Sequence, residues 1–160
     1  MEKKLDTLAD KDIGTILKTV GMTLVSTVGG ASGPLYGTAF MKAGQLMAGK
    51  DAVDINGFVE ILRVSIEGVK MRGKSTTGEK TMLDAMVPAL AAMEGALKAV
   101  KDPKEILLEG VEAAEDGVAY TKTIIATKGR ASYLGERSIG HQDPGATSFT
   151  LMLSVIAKSL

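Results

Sequence analysis

The chain has 160 residues and a mass of 16.7 kDa, which is enough for one conventional hydrophobic core. Nineteen Lys and Arg residues balance nineteen Asp and Glu residues, which argues against binding nucleic acid or an anionic membrane by gross charge. With no cysteine and one histidine, the chain lacks the residues for a disulfide, a thiolate metal site or a multi-histidine zinc site. Glycine is in excess, at 19 of 160 residues, against about 7% in an average protein.

Targeting signals are weak at the start of the chain. The first ten residues lack the apolar stretch that a secretory signal requires, so we expect a cytoplasmic protein. Residues 19–41 contain no charged residue and are long enough to cross a bilayer. They also contain five glycines and Pro34, so we predict a buried segment of small residues in place of a membrane span.

Apolar residues recur every three or four positions along most of the chain, which is typical of amphipathic helices. No alternating run bounded by turn residues indicates a sheet. We therefore predict an all-α fold with helices near residues 10–27, 31–48, 55–71, 80–100, 103–126 and 146–159. Predicted N-caps are Asp10, Asp54 and Asp102, the last followed by Pro103 at the first helical position.

Three helical stripes are predicted to supply much of the core. They are Phe58, Val59, Leu62, Ile66 and Val69; Met82, Met86, Leu90, Met93, Leu97 and Val100; and Ile106, Leu107, Val111, Ala114 and Val118. Pro88 lies inside the second stripe, where its missing N–H should leave the carbonyl of Asp84 without a helical partner. Residues 128–145 show no stripe, so we predict a long irregular loop there.

Much of the glycine is concentrated at three junctions between predicted helices. The first spans residues 28–37. If a helix begins near Ala31, its unpaired N–H groups, together with Ser32 and the small glycines, could receive a phosphate. Alternatively, glycines spaced by four residues let two helices approach closely, and a Gly-Gly pair ends the first of them. The glycines concerned are Gly29, Gly33 and Gly37, with Gly29-Gly30 as the pair.

The second junction spans residues 72–81. It holds three cations and two glycines, namely Arg72, Lys74, Lys80, Gly73 and Gly78. A P-loop is excluded, because Glu79 separates the second glycine from the lysine and a helix precedes the turn in place of a strand. Two interpretations stay open: the cations and the nearby amides hold polyphosphate, or the residues form a solvated basic turn.

The third junction is the predicted loop at residues 128–145. It carries Arg130, and an arginine in such a loop could stabilise the charge on a transferring phosphoryl group. The alternative is an internally hydrogen-bonded surface loop. Its last three residues, Asp143, Pro144 and Gly145, are equally consistent with a simple turn before the final helix.

Together the three junctions resemble the glycine-rich signatures of the nucleotide-binding L subunit of dihydroxyacetone kinase. The matching stretches are VGGASGPLYG at 28–37, RGKSTTGEKTM at 72–82 and KGRASYLGERSIGHQDPG at 128–145. The resemblance implies one nucleotide-binding domain over residues 1–160. It also implies an antiparallel helical barrel that binds ADP or ATP at one end, beneath the long loop.

The resemblance further implies a role in a phosphotransferase-linked kinase. In that system a phosphohistidine donor, the M subunit, phosphorylates ADP on the L subunit, and the resulting ATP phosphorylates dihydroxyacetone on the K subunit. A homodimer is compatible with this role, and neither nucleic acid nor membrane is an expected partner. Two alternatives stay open: a non-catalytic interaction module of the same fold, and the nucleotide domain of another kinase such as a fatty-acid kinase.

Ten residues are implied to line the nucleotide. They are Gly29, Gly30, Ala31, Ser32, Gly73, Met82, Arg130, Asp143, Pro144 and Gly145. By this resemblance, Ala31 and Ser32 would lie at the phosphates, with the preceding glycines giving the backbone room to approach. Arg130 would contact the phosphates and aid transfer as the catalytic residue, and Asp143 would begin the cap near the nucleoside.

The chain departs from the family at its start. The family binds magnesium through an aspartate-rich signature of the form G-D-x-D-H-G, and no such stretch occurs in these residues. We therefore expect the first two helices of the family barrel and its metal ligands to be missing. Asp6, Asp10 and Asp12 do not match the signature, so we assign them to capping and solvation and predict no metal ligand.

Overall fold

The computed structural model describes residues 6–160, which divide into two units, one ending at Lys74 and the other running from Ser75 to Leu160. All regular structure in this range is helical, with no strand, which confirms the predicted all-α class. Within residues 6–160, no helix has both the length and the apolar content that a membrane span needs.

Within the described residues, each unit contributes three α-helices. Those of the first unit are α1 (Ile13–Thr27), α2 (Ser32–Leu46) and α3 (Ile55–Gly73), and those of the second are α4 (Leu83–Lys98), α5 (Pro103–Thr121) and α6 (Pro144–Lys158). Two 3-10 segments cover Asp6–Leu8 and Arg130–Ser138. All six predicted helices are present, with ends displaced by up to five residues.

Side-chain caps define several helix starts. The Asp54 carboxylate accepts from the Gly57 amide at 2.7 Å, and Asp102 accepts from two amides of the first turn of α5, so both predicted caps are confirmed. The prediction for Asp10 is wrong, because α1 begins after Asp12. The carboxylate of Asp12 accepts from the hydroxyl of Thr15 and, at 2.7 Å, from the amide of Gly49.

Helices α1 and α2 run antiparallel and touch through glycine. A Cβ on Gly21 would lie 2.7 Å from the carbonyl oxygen of Gly37, and one on Gly37 would lie 2.8 Å from that of Gly21. Since neither position has room for a side chain, the glycines permit this backbone contact. The prediction of a buried small-residue segment is right for this contact but does not hold for the whole segment, because Met22 is 57% exposed.

The predicted stripes form much of the core. The buried members are Val59, Leu62, Ile66 and Val69 in the first unit, and Met82, Met86, Met93, Ile106, Leu107, Val111 and Ala114 in the second. Val100 is a wrong assignment, since it lies beyond the end of α4, has a φ of 55° and is 88% exposed.

Two predicted helix boundaries are wrong, and both involve Lys80. Helix α4 does not begin at Lys80, because this residue has a φ of 61°, outside the helical range. Helix α5 ends at Thr121 and not at residue 126. The carbonyls of Thr121 and Ile124 accept hydrogen bonds from the Lys80 ammonium, and that of Lys122 accepts from the Gly140 amide at 2.7 Å. These oxygens are therefore engaged by groups outside the helix.

The long loop is more regular than predicted. Residues Arg130–Ser138 form 3-10 turns, interrupted at Gly135, where φ is 54° and ψ is −129°. Serine hydroxyls support both ends, since Ser132 donates to the carbonyl of Gly129 and Ser138 to that of Gly135, each at 2.6 Å. Such bonds over three residues need no apolar stripe, so periodicity did not reveal them.

Candidate nucleotide-binding site

The predicted site residues lie in both units. In the first unit, the turn between α1 and α2 is formed by Gly29 and Gly30, which are exposed. Gly30 has a φ of 72°, and no atom would lie within 4 Å of a Cβ built on either glycine. The backbone of this turn is therefore open to a ligand.

The turn leads into the start of α2. Ala31 precedes the helix, Ser32 is its first residue, and both are exposed. No side chain caps this helix end, so the amides of the first turn and the positive end of the helix dipole favour an anion there. This geometry is consistent with the phosphate interpretation.

The packing interpretation is correct for part of the same junction. A Cβ on Gly33 would lie 2.0 Å from the carbonyl oxygen of Val28, and Gly37 packs against α1 as described above. Gly29 takes no part, because a side chain there would meet open space. The junction therefore combines a close helix contact with an exposed glycine turn.

The basic second junction is less accessible than predicted. Lys80 is only 3% exposed, and its Nζ donates to the carbonyl oxygens of Thr121, Ile124 and Ser138 at 2.7, 3.2 and 2.5 Å. The prediction that Lys80 is one of the cations available to a polyphosphate is therefore wrong. Arg72 and Lys74 are exposed, at the end of α3 in the first unit.

Gly73, the remaining predicted residue of the first unit, is the last residue of α3 and is half-buried. Gly78, in the second unit, is not available as a phosphate ligand, because its amide donates to the Asp84 carboxylate. The same carboxylate accepts from the Thr81 amide at 2.8 Å. Asp84 therefore fixes the turn before α4. Since it occupies the Gly78 amide, that amide is not among those that could hold polyphosphate.

Asp143 organises the start of α6. Its carboxylate accepts from the amide of Ala146 at 2.7 Å, and its own amide donates to the Thr121 hydroxyl at 2.9 Å. Burial raises the pKa of the Asp143 carboxyl above its ordinary value of 3.8, and the charge of Asp84 raises it further. The Ala146 and Gly145 amides and the Lys80 ammonium oppose this rise in pKa.

Met82 packs against the same helix start. It is 4% exposed, and a Cβ on Gly145 would lie 3.2 Å from Met82 Cβ and 3.4 Å from its Cε. Pro144, between Asp143 and Gly145, is the first residue of α6. The structure thus brings four of the predicted residues together, while their contact with a nucleotide stays a prediction.

Arg130 lies apart from this cluster along the chain. It is the exposed first residue of the 3-10 segment, directly after Gly129, whose φ is 64°. An exposed guanidinium on a glycine-flanked turn is free to approach an anion from solvent. Its exposure leaves the guanidinium accessible for the predicted contact with phosphate.

Sequence reasoning missed the buried hydrogen-bond hub made by Lys80, Thr121 and Ser138. Lysine is almost never fully buried unless it is paired, and the glycine-rich turn before it suggested exposure. The usable signal was the position of Thr121 at the end of an apolar stripe, where a polar residue continues the buried face.

Across residues 6–160, no three His, Asp or Glu side chains converge as metal ligands. Whether the protein binds the magnesium that the resemblance implies stays a prediction.

An all-helical chain with a glycine turn before an uncapped helix is a candidate phosphate-binding domain. The model of the DAK2 domain family matches residues 1–158, and the chain belongs to this family. It is 46% identical to the PEP-dependent dihydroxyacetone kinase ADP-binding subunit DhaL of Escherichia coli (strain K12), over 97% of this chain and 74% of that protein.

Other relatives agree with this assignment. The ADP-binding subunit DhaL of the PTS-dependent dihydroxyacetone kinase of Lactococcus lactis is 44% identical, over 91% of this chain and 70% of that protein. The dihydroxyacetone kinase of C. freundii, solved in complex with AMP-PNP and Mg2+, aligns with a TM-score of 0.68 at 25% identity. That alignment covers 99% of this chain and 26% of the kinase chain. The predicted family is confirmed.

Proposed function

We propose that this chain is the ADP- and ATP-binding subunit of a phosphotransferase-linked dihydroxyacetone kinase. The observation that carries the proposal is its similarity, over nearly its whole length, to relatives named as ADP-binding subunits of such kinases. The uncapped start of α2 after an open glycine turn supports it, because the nucleotide phosphates need backbone donors.

The proposed reaction is a relay in two phosphoryl transfers. A phosphohistidine on a donor M subunit loses its phosphoryl group as the N–P bond breaks, and a terminal oxygen of bound ADP forms the new O–P bond. The resulting ATP then passes its γ-phosphoryl group to a hydroxyl of dihydroxyacetone held on a K subunit, which regenerates ADP. The nucleotide thus stays on this chain as a carrier.

The chain's own residues bind and orient the nucleotide. The amides at Ala31 and Ser32 hold phosphate oxygens, and the preceding glycines admit them to the backbone. Arg130 neutralises charge on the transferring group, which is a major part of phosphoryl-transfer catalysis. Gly145, which packs on the buried Met82 side chain, contacts the nucleoside next to Asp143.

Calorimetric titration of the chain with ADP, in parallel with and without magnesium, tests the proposal. We expect ADP to bind with 1:1 stoichiometry and AMP to bind more weakly, because the β-phosphate supplies charge at the start of α2. Absence of ADP binding under both conditions would favour the non-catalytic interaction module. Tight binding that depends on magnesium would contradict the expectation that metal ligands are missing.

Transfer is tested separately from binding. Radiolabelled phosphoryl groups on the donor subunit should appear in dihydroxyacetone phosphate only when this chain, ADP and the K subunit are all present. A fatty acid offered in place of dihydroxyacetone should not be phosphorylated, and its phosphorylation would favour the fatty-acid kinase alternative.

A further inference from the structure

The ammonium of Lys80 has no unused N–H donor for a ligand. Its ammonium carries three N–H donors, and three backbone carbonyl oxygens surround it at 2.5–3.2 Å. The side chain is buried, and the residue holds a left-handed φ of 61° that costs about 1–2 kcal/mol for a residue with a Cβ. A strained and buried lysine with every donor used has a role other than solvation.

The carbonyls that bind Lys80 belong to the two ends of one loop. Thr121 and Ile124 precede the loop, and Ser138 closes it. The Ala126 amide also donates to the Ser138 hydroxyl at 2.9 Å. Residues 124–126 and 138 therefore form a neck, and the ammonium of Lys80 bridges its two sides.

The loop beyond the neck is held by polar contacts, among them an ion pair of 3.7 Å between Lys128 and Glu79. None of the residues 127–137 is fully buried, and Arg130 lies among them. The Thr127 amide donates to the carbonyl of Glu79 at 3.3 Å, so the same turn anchors this side of the loop a second time. Hydrogen bonds at the neck, not buried apolar contacts, thus set the course of the loop.

We infer that Lys80 is a positioning residue for Arg130. Its ammonium closes the neck of the loop at 127–137 and so determines where the guanidinium stands relative to bound phosphate. The link to phosphate rests on the proposed function, whereas the closure of the neck stands on the hydrogen bonds alone.

The absence of cysteine from the chain allows a direct test. Lys80→Cys places a single thiol, which is alkylated in denaturant before refolding. With 2-bromoethylamine, the thiolate displaces bromide and forms a C–S bond, restoring a side chain of nearly lysine length with its ammonium. Iodoacetamide gives the matched neutral adduct, with iodide as the leaving group.

Trypsin reports on the neck without any nucleotide. Lys128, Arg130 and Arg137 are cleavage sites within the loop. The carbamidomethyl form should be cut there about tenfold faster than the unmodified chain, because cleavage follows the open population. The aminoethyl form should be cut like the unmodified chain. Equal cutting of the two adducts, or equal acceleration at sites throughout the chain, would overturn the inference.

ADP titration then tests the link to Arg130. Arg130→Ala should weaken ADP binding several-fold in the aminoethyl form and change it little in the carbamidomethyl form. The reason is that the effects of substituting two residues that act together are not additive. Independent, additive losses would reject the positioning role. If ADP binds none of the proteins, the proposed function fails, while the trypsin comparison still decides whether Lys80 closes the neck.

Discussion

The carbonyl oxygen of Asp84 in α4 points at Gly117 in α5, where a Cβ would lie only 2.1 Å from it. This carbonyl lost its helical partner to Pro88, which has no N–H to donate four residues later. The two helices approach through a glycine at the point where the proline frees a backbone oxygen. Proline and glycine thus act together at one helix contact.

We predict that Gly117→Ala destabilises the chain by about 2 kcal/mol or more, because overpacking against backbone cannot be relieved by a rotamer change. Urea denaturation measures the free energy of unfolding. Gly95→Ala is the matched control, since Gly95 also lies in a helix but a Cβ there meets nothing within 4 Å. It should leave stability unchanged or raise it by about 0.5–1 kcal/mol. Equal effects of the two substitutions would contradict the assigned contact.

The helical class and the core stripes were predictable, because period and caps are local signals. Asp54 and Asp102 cap their helices as expected. The ends of α4 and α5 were not predictable, because Lys80 reaches carbonyls that lie 41 to 58 residues further along the chain. Periodicity carries no information about such contacts.

The residues that mark the candidate site were predictable, but which of them a ligand can reach was not. The sequence indicated which glycines mark junctions, yet not that Gly33 abuts the carbonyl of Val28 while Gly29 is open. Likewise, three cations looked equivalent, and the structure buries one of them, Lys80. Burial depends on tertiary packing, which a single sequence does not display.

The glycine turn before α2 supplies a second prediction. Gly29→Ala should leave the free energy of unfolding unchanged, because the position is open and its φ is not positive. It should weaken ADP binding about tenfold, because the added methyl group would hold a phosphate oxygen away from the backbone amide and so cost about one hydrogen bond to a charged group. Gly30→Ala, where φ is 72°, should in addition cost about 1–2 kcal/mol of stability. Thermal melts and ADP titrations measure the two effects, and unaltered ADP affinity in Gly29→Ala would reject phosphate contact at this turn.

Asp143 and Asp12 should affect stability with opposite pH dependence. Burial raises the folded-state pKa of Asp143, so its contribution is fully present below the unfolded pKa and is lost as pH rises through the folded pKa. Hydrogen bonds from Thr15 and Gly49 lower the pKa of Asp12, so its contribution is lost as pH falls.

The measurement compares Asp143→Asn and Asp12→Asn with the unsubstituted chain by urea denaturation between about pH 3 and pH 7. The stability difference, unsubstituted minus Asn variant, should decrease with rising pH for Asp143 and increase for Asp12. The same slope for both would show that the amides at the start of α6 outweigh burial at Asp143.

Arg130→Ala separates binding from catalysis. Removing the guanidinium takes away one charged donor that stabilises the transferring phosphoryl group, which lowers turnover by about 100-fold or more. ADP affinity should fall only several-fold, because the backbone donors at the start of α2 are unchanged. Turnover is measured with donor and K subunits in excess, and ADP affinity by calorimetry.

Arg137→Ala is the matched control, because Arg137 is an exposed cation of the same 3-10 segment. It should turn over like the unsubstituted chain. If Arg130→Ala keeps full turnover, the guanidinium has no catalytic role, and the charge on the transferring group must be neutralised by another residue or by a partner subunit.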